Sequence, residues 1–302
     1  MFLAVRDVVL FQAGYPNLLE GLRDLGLDAV ELALSRDRSL LLPESPLHGE
    51  RRRMTHEADA LAFAAVLRDA RIRVPALMVA SNFNAEDVDA EVEWVAAALQ
   101  VAGPLGARVV RVDAAMTGQK ELPLNRRVRA FTEVVTRTLA ATEGVSAILA
   151  VETHGSQGTD PEWLQQVLDA VASPRLAVAL DPANYYLAGQ SLDEVYALVT
   201  RLAPRVVHTH CKNLSFLPAA RNAPRVAGWG YGDHVCPLPD GDIDFHRVAR
   251  ALYDAGYHGA LCLEEEALGK FPDAARRDVL RRDVDYMRAA LRALPCAQHT
   301  PA

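Results

Sequence analysis

The chain has 302 residues, 50% hydrophobic and 24% charged, which is enough to bury one large core and far from the composition of a disordered chain. Its formal net charge is −7 with acids and bases interspersed, so no basic stripe is available to track a phosphodiester backbone, and no nucleic-acid partner is expected. No run approaches the roughly 18 to 20 apolar residues of a membrane span.

Arg6 and Asp7 interrupt the apolar amino terminus where a signal peptide needs continuity. The four cysteines, Cys211, Cys236, Cys262 and Cys296, form no CxxC pair. Reduced thiols in a cytoplasmic protein, with no membrane partner, are therefore expected.

In chain order, short β-branched runs alternate with longer helical patterns. Strands are predicted at Val5–Phe11, Asp28–Leu34, Arg73–Ala80, Ala107–Asp113, Ser146–Glu152, Leu176–Asp181, Arg205–His210 and Gly259–Glu264. Helices are predicted at Thr55–Ala70, Ala85–Ala102, Arg126–Thr142, Pro161–Val171, Leu192–Leu202, Asp244–Ala255 and Asp273–Leu294, with Asp160-Pro161 and Ser191 as helix starts. Eight β/α repeats predict an α/β chain folded as a single (β/α)8 TIM barrel over residues 1–296, with 297–302 as a flexible tail. A doubly wound sheet carries fewer strands and a glycine-rich first turn, and no GxGxxG follows the first strand. The irregular stretches Ser35–Arg53 and Leu214–Asp242 follow strands two and seven, so both are expected over the catalytic face.

Four of the later strands end in a group able to ligate a metal: ILAVETHG, VALDPAN, VVHTHCKN and LCLEEEA. Side chains alternate along a strand, so parity tests whether those groups converge. Glu152 shares its parity with Ile148, Ala150 and His154, and Asp181 with Ala177 and Ala179. His210 shares its own with Val206, His208 and Lys212, and Glu264 with Ala260 and Cys262. In each strand the small or polar parity belongs inside the barrel, so the four groups are expected to meet. Two glutamates, an aspartate and an imidazole suit one divalent ion, Mn, Mg, Co or Zn, with positions left open for substrate oxygens. Each residue alone has a plainer role, a helix cap for a carboxylate or a core hydrogen bond for a histidine such as His208. The joint pattern on consecutive strands favours the metal.

The segments VETHG, ALDPANYYLAG, VVHTHCKN and GDIDFHRVARALYDAGYHGALCLEEE, with GLDAVELAL at strand two, resemble the xylose-isomerase-like sugar isomerase/epimerase superfamily. The resemblance runs through most of the barrel and is strongest from Ala147 to Glu266. It implies Glu152, Asp181, His210 and Glu264 as metal ligands, with His210 preferred to His208 because Cys211-Lys212 follows it in the family's His-x-Lys-Asp pattern. Two positions depart from that pattern. Asn184 stands where many members have a second histidine, and Asn213 where the pattern has aspartate.

The resemblance implies isomerisation or epimerisation of a small-molecule carbohydrate. The ion would stabilise an enediolate while Glu152 and Glu264 carry the proton. His154, Asn184 and Lys212 are expected to hold substrate oxygens, and Trp229, beside Tyr231 in GWGYGDH, to stack on a sugar face. Asp233, Asp240, Asp242 and Asp244 leave no phosphate cradle after strand seven, favouring a non-phosphorylated sugar. A lyase or dehydratase of the same family is the main alternative. A zinc-dependent endonuclease IV-like enzyme needs further histidines from strands three and four, which end VASNFN and VRVDAA. A non-enzymatic binding protein would have no use for an intact ligand set. A homo-oligomer is left open.

Overall fold

Alternation of small and large apolar residues decides how this sheet closes. In the computed structural model, which describes residues 1–114 and 121–295, eight parallel strands form a closed barrel in sequential order. They are β1 (Phe2–Arg6), β2 (Val30–Ala33), β3 (Ala76–Val79), β4 (Val109–Val112), β5 (Ile148–Glu152), β6 (Leu176–Leu180), β7 (Val206–Cys211) and β8 (Ala260–Leu263). Closure is made by β8 against β1, in register from Phe2 opposite Ala260 to Val5 opposite Leu263.

The small parity lies inside. Ala4, Ala29, Ala260 and Cys262 pack together in one cluster, and Ala76, Val109, Ala150 and Ala179 in another. The larger parity, including Leu149, Val151, Val178 and Leu180, joins the main core beneath the helices. Fully buried Trp163 anchors that layer, meeting Phe131 edge-on at 4.8 Å between centroids.

The outer layer is α1 (Leu18–Leu25), α2 (Glu57–Asp69), α3 (Val88–Leu105), α4 (Leu124–Ala140), α5 (Pro161–Val171), α6 (Leu192–Leu202), α7 (Phe245–Asp254) and α8 (Asp273–Arg292). The two predicted helix starts hold. Asp160 accepts hydrogen bonds from the Glu162 and Trp163 amides, and Ser191 caps α6 in a reciprocal box with Glu194. Behind β8, buried Glu265 faces buried Asp283 of α8, whose Oδ1 accepts the Leu238 N–H at 2.8 Å. Burial and the facing Glu265 push the Asp283 carboxyl well up, and burial raises Glu265 as well.

Three expectations are corrected. The first strand is Phe2–Arg6 rather than Val5–Phe11, because Asp7–Gln12 turns into a helix. Asp7 there accepts the Val8 and Ala33 amides at 2.7 and 2.8 Å, ending the strand and tying it to β2. Helix α1, capped by Asn17 and closed by left-handed Gly26, completes the first repeat, where no helix was predicted. The stretches read as irregular each contain an antiparallel hairpin, Ser39–Leu41 with Arg51–Arg53 and Asn213–Leu214 with Val235–Cys236. The proposed tail 297–302 lies outside the described residues, as does Cys296. Among the described residues no helix is long and apolar enough to cross a membrane.

Candidate functional site

Strand ends converge at the C-terminal mouth of the barrel, and the side chains there are buried. His210, on the inward parity of β7, is the hub. Its Nδ1 lies 2.8 Å from Glu152 Oε1 and 3.3 Å from Glu264 Oε2, while its Nε2 lies 2.8 Å from Glu31 Oε2. The donor atoms of Glu152, His210 and Glu264 all fall within 4.8 Å of one another. Asp181 joins them through Lys212, whose ammonium is 3.0 Å from both Asp181 Oδ2 and Glu264 Oε2. The other carboxylate oxygen of Asp181 accepts the Ala183 N–H, capping the short helix Pro182–Leu187, so this residue serves two elements.

The charges fall into a definite pattern. Five carboxylates, Glu31, Asp113, Glu152, Asp181 and Glu264, are buried around three permanent cations, Arg6, Arg111 and Lys212. Arg6 pairs with Glu264, and Arg111 with Glu152 and, at 2.9 Å, with Asp113. Counted with both histidines neutral, the excess negative charge is that of one divalent cation, which would take the place of the His210 proton, and the oxygen-rich donor set is of the kind hard divalent ions take. The residues present therefore fit such an ion.

Burial opposes a charge on His210, but Glu31 and Glu264 override it and raise the imidazole to about 9. Burial likewise opposes ionisation of Glu31 and Glu264. His210 and His208 nevertheless hold Glu31 well below the usual carboxylate range, and Lys212, His210 and Arg6 do the same for Glu264. For Asp181 burial wins and its carboxyl is raised, while the carboxylates around Lys212 outweigh burial and raise its ammonium.

Of the residues expected to touch substrate, Lys212 is buried among the carboxylates rather than standing in water. Asn184 is buried on the helix after β6, and its Nδ2 has no hydrogen-bond partner among the described residues. His154 is half-buried at the rim, its Nδ1 3.1 Å from Asp113 Oδ1 and 3.7 Å from Glu152 Oε2. Trp229 lies farther out, 53% exposed, stacked on Phe216 at 5.9 Å and 5.0 Å from His234. His208 has the core role suggested for it, with Nε2 2.9 Å from Glu31 Oε1. Asn213 is also structural. Its amide donates to the Leu238 and Ile243 carbonyls, both at 2.9 Å, and its Oδ1 accepts the Leu214 and Ile243 N–H groups.

Sequence reasoning missed Glu31, Arg6, Arg111 and Asp113 as members of the site. A signal was present in each strand, since a lone charge amid aliphatic residues, as in DAVELAL and VVRVDA, is tolerated only when paired inside.

With fold and site in hand, the chain matches the xylose isomerase-like TIM barrel family over residues 19–290, and it belongs to that family. It is 30% identical over 195 residues to the rhizopine catabolism protein MocC of Rhizobium meliloti, a match spanning 60% of this chain and 58% of that protein. Its fold is similar to that of a zinc-bound IolI protein, with a TM-score of 0.70 at 16% identity over 96% of this chain and 99% of the other. An L-ribulose 3-epimerase structure is similar at a TM-score of 0.62 and 17% identity, over 97% and 95% of the two chains. At these identities the structural likenesses speak for the fold alone.

Proposed function

We propose that this chain is a divalent-metal-dependent isomerase or epimerase of a small, uncharged sugar or keto-sugar. The observation that carries the reading is the pair of buried carboxylates, Glu152 and Glu264, meeting at one nitrogen of His210. Glu152, Asp181, His210 through Nδ1, and Glu264 would hold the cation. A bound divalent ion supplies Lewis acidity that polarises a carbonyl oxygen and acidifies the neighbouring C–H.

The remaining work falls to the side chains. Glu264, kept ionised, would remove a proton from the carbon next to the carbonyl, and Glu152, entering the step protonated, would return one to the opposite face or to the adjacent atom, with exchange against water then restoring both carboxyls. Arg6 and Arg111 hold these carboxylates in place through their ion pairs. Lys212, Asn184 and His154 orient hydroxyls, and Trp229 covers the sugar from the loop side. Because one divalent cation balances the buried carboxylates, no spare positive charge is left for a phosphate. Membership of the xylose isomerase-like family is in keeping with a carbohydrate-type substrate. The free thiols of Cys211, Cys236 and Cys262 suit a reducing compartment, and we place the enzyme in the cytoplasm.

The test is to incubate the metal-loaded protein with ketoses, 3-keto sugars and inososes in D₂O and to follow NMR and mass spectra. Deuterium gained at the reacting carbon without loss of a fragment is the expected result. Release of water or an aglycone would move the assignment to a lyase, and cleavage of abasic-site DNA with no reaction on any sugar would reject both.

A further inference from the structure

The opposite end of the barrel carries a second cavity, of about 890 Å³. It opens at the N-terminal mouth, where Val109, Val206 and Ala260 begin β4, β7 and β8, and these apolar side chains line it. Its rim is cationic, although the chain as a whole carries a net charge of −7. Arg68, Arg71 and Arg108 are exposed there, and none has an ion-pair or side-chain hydrogen-bond partner among the described residues.

Arg71 is unusual in its backbone. Its φ is 58°, in the left-handed region, at the turn from α2 toward β3. The corresponding turns before β2, β4, β5 and β8 place glycine in that conformation, at Gly26, Gly106, Gly144 and Gly256, and the turn before β6 places the small Ala172 there, so Arg71 is the one long side chain among them. An L side chain is disfavoured there, and this one sets a guanidinium on the cavity rim.

We infer that this mouth is a second binding site, separate from the carboxylate cluster, for a small organic anion with an apolar body and a carboxylate or phosphate head. The volume suits a ligand of that size, the lining is the apolar surface such a body displaces water from, and unpaired guanidinium groups are the usual partners of planar or tetrahedral anions. Buried His208 adds one polar group to the lining.

Anilinonaphthalene sulfonate, titrated into the full chain and followed by fluorescence, is the probe. One saturable site per chain is expected, displaced by benzoate or by phenyl phosphate. The Arg71→Gly/Arg108→Ser variant should bind the probe at least tenfold more weakly. Since glycine relieves the left-handed residue, its thermal midpoint should not fall, which separates loss of the site from loss of the fold. Ala64→Phe, which fills the cavity from α2, should weaken binding similarly, whereas Trp229→Ala at the other mouth should leave it unchanged. Affinities within twofold of wild type in both cavity variants, failure of both anions to displace the probe, or binding that follows Trp229 instead would overturn the assignment.

Discussion

Glu31 accepts hydrogen bonds from two imidazoles at once, His208 at 2.9 Å and His210 at 2.8 Å. It thereby fixes the His210 ring so that Nδ1 faces Glu152 and Glu264. Glu31→Gln should keep the fold but weaken cation binding by about 10- to 100-fold, the usual cost of losing a partner behind a ligating histidine; a metal titration with unchanged affinity would show that Glu31 does not position the ring. Glu152→Gln and Glu264→Gln should each lower turnover by roughly 10² to 10⁴ with little change in substrate binding, because an amide carries no proton. Near wild-type turnover in either would remove that residue from proton transfer. Asn213 makes a different point. Aspartate there would set a carboxylate against the Leu238 and Ile243 carbonyls that the amide now donates to, and Asn213→Asp should cost about 2 to 3 kcal/mol in chemical denaturation. Glu152, Asp181, His210 and Glu264 were legible as a converging group because each ends its strand on the small-residue parity. Glu31, Arg6 and Arg111 were not, since Glu31 lies 179 positions from His210 and Arg6 258 from Glu264, and a single strand shows a lone charge but not what neutralises it: Arg6 meets Glu264 only because β8 closes on β1.

At the scale of elements, β2 to β8 and helices α2 to α8 could be read from periodicity and caps, and the end of the first strand and helix α1 could not. The run VVLF after Arg6 is as apolar as a strand, but Asp7 binds the Val8 and Ala33 amides and turns the chain, a contact set by β2 rather than by the run itself. The Glu265 and Asp283 carboxyls meet where α8 docks behind β8, and folding raises both. A carboxyl whose pKa is raised by folding stabilises the native state below its unfolded value, near 4, and that contribution is lost as pH rises through the folded value. Asp283→Asn keeps an acceptor for Leu238 and adds a donor toward Glu265 without titrating. Thermal midpoints of wild type and variant should therefore be close near pH 4 and diverge as pH rises, the variant becoming more stable by about 1 to 3 kcal/mol at pH 8. Parallel curves across that range would mean the pair is not protonated in the native state.

The whole molecule divides into a narrow inner layer of alanines and a thick outer layer of aliphatic and aromatic side chains. The inner layer is broken by the charge cluster at the mouth, the outer by the buried Glu265 and Asp283 behind β8. A cation bound by the carboxylates stabilises the fold by mass action, about 4 kcal/mol at a thousandfold excess over Kd. Chelation should therefore lower the thermal midpoint, and an unchanged midpoint with chelator would argue against a resident ion. The line from His208 through Glu31 to His210 has one more consequence. The imidazole N–H protons directed at Glu31 are buried and hydrogen-bonded, so they should exchange slowly and give separate downfield resonances in a ¹H–¹⁵N spectrum. His210 sits at the cation site and His208 one carboxylate removed, so adding a diamagnetic divalent ion should shift the first set strongly and the second weakly. The barrel axis thus contains its own pair of spectroscopic reporters, one for each direction along it.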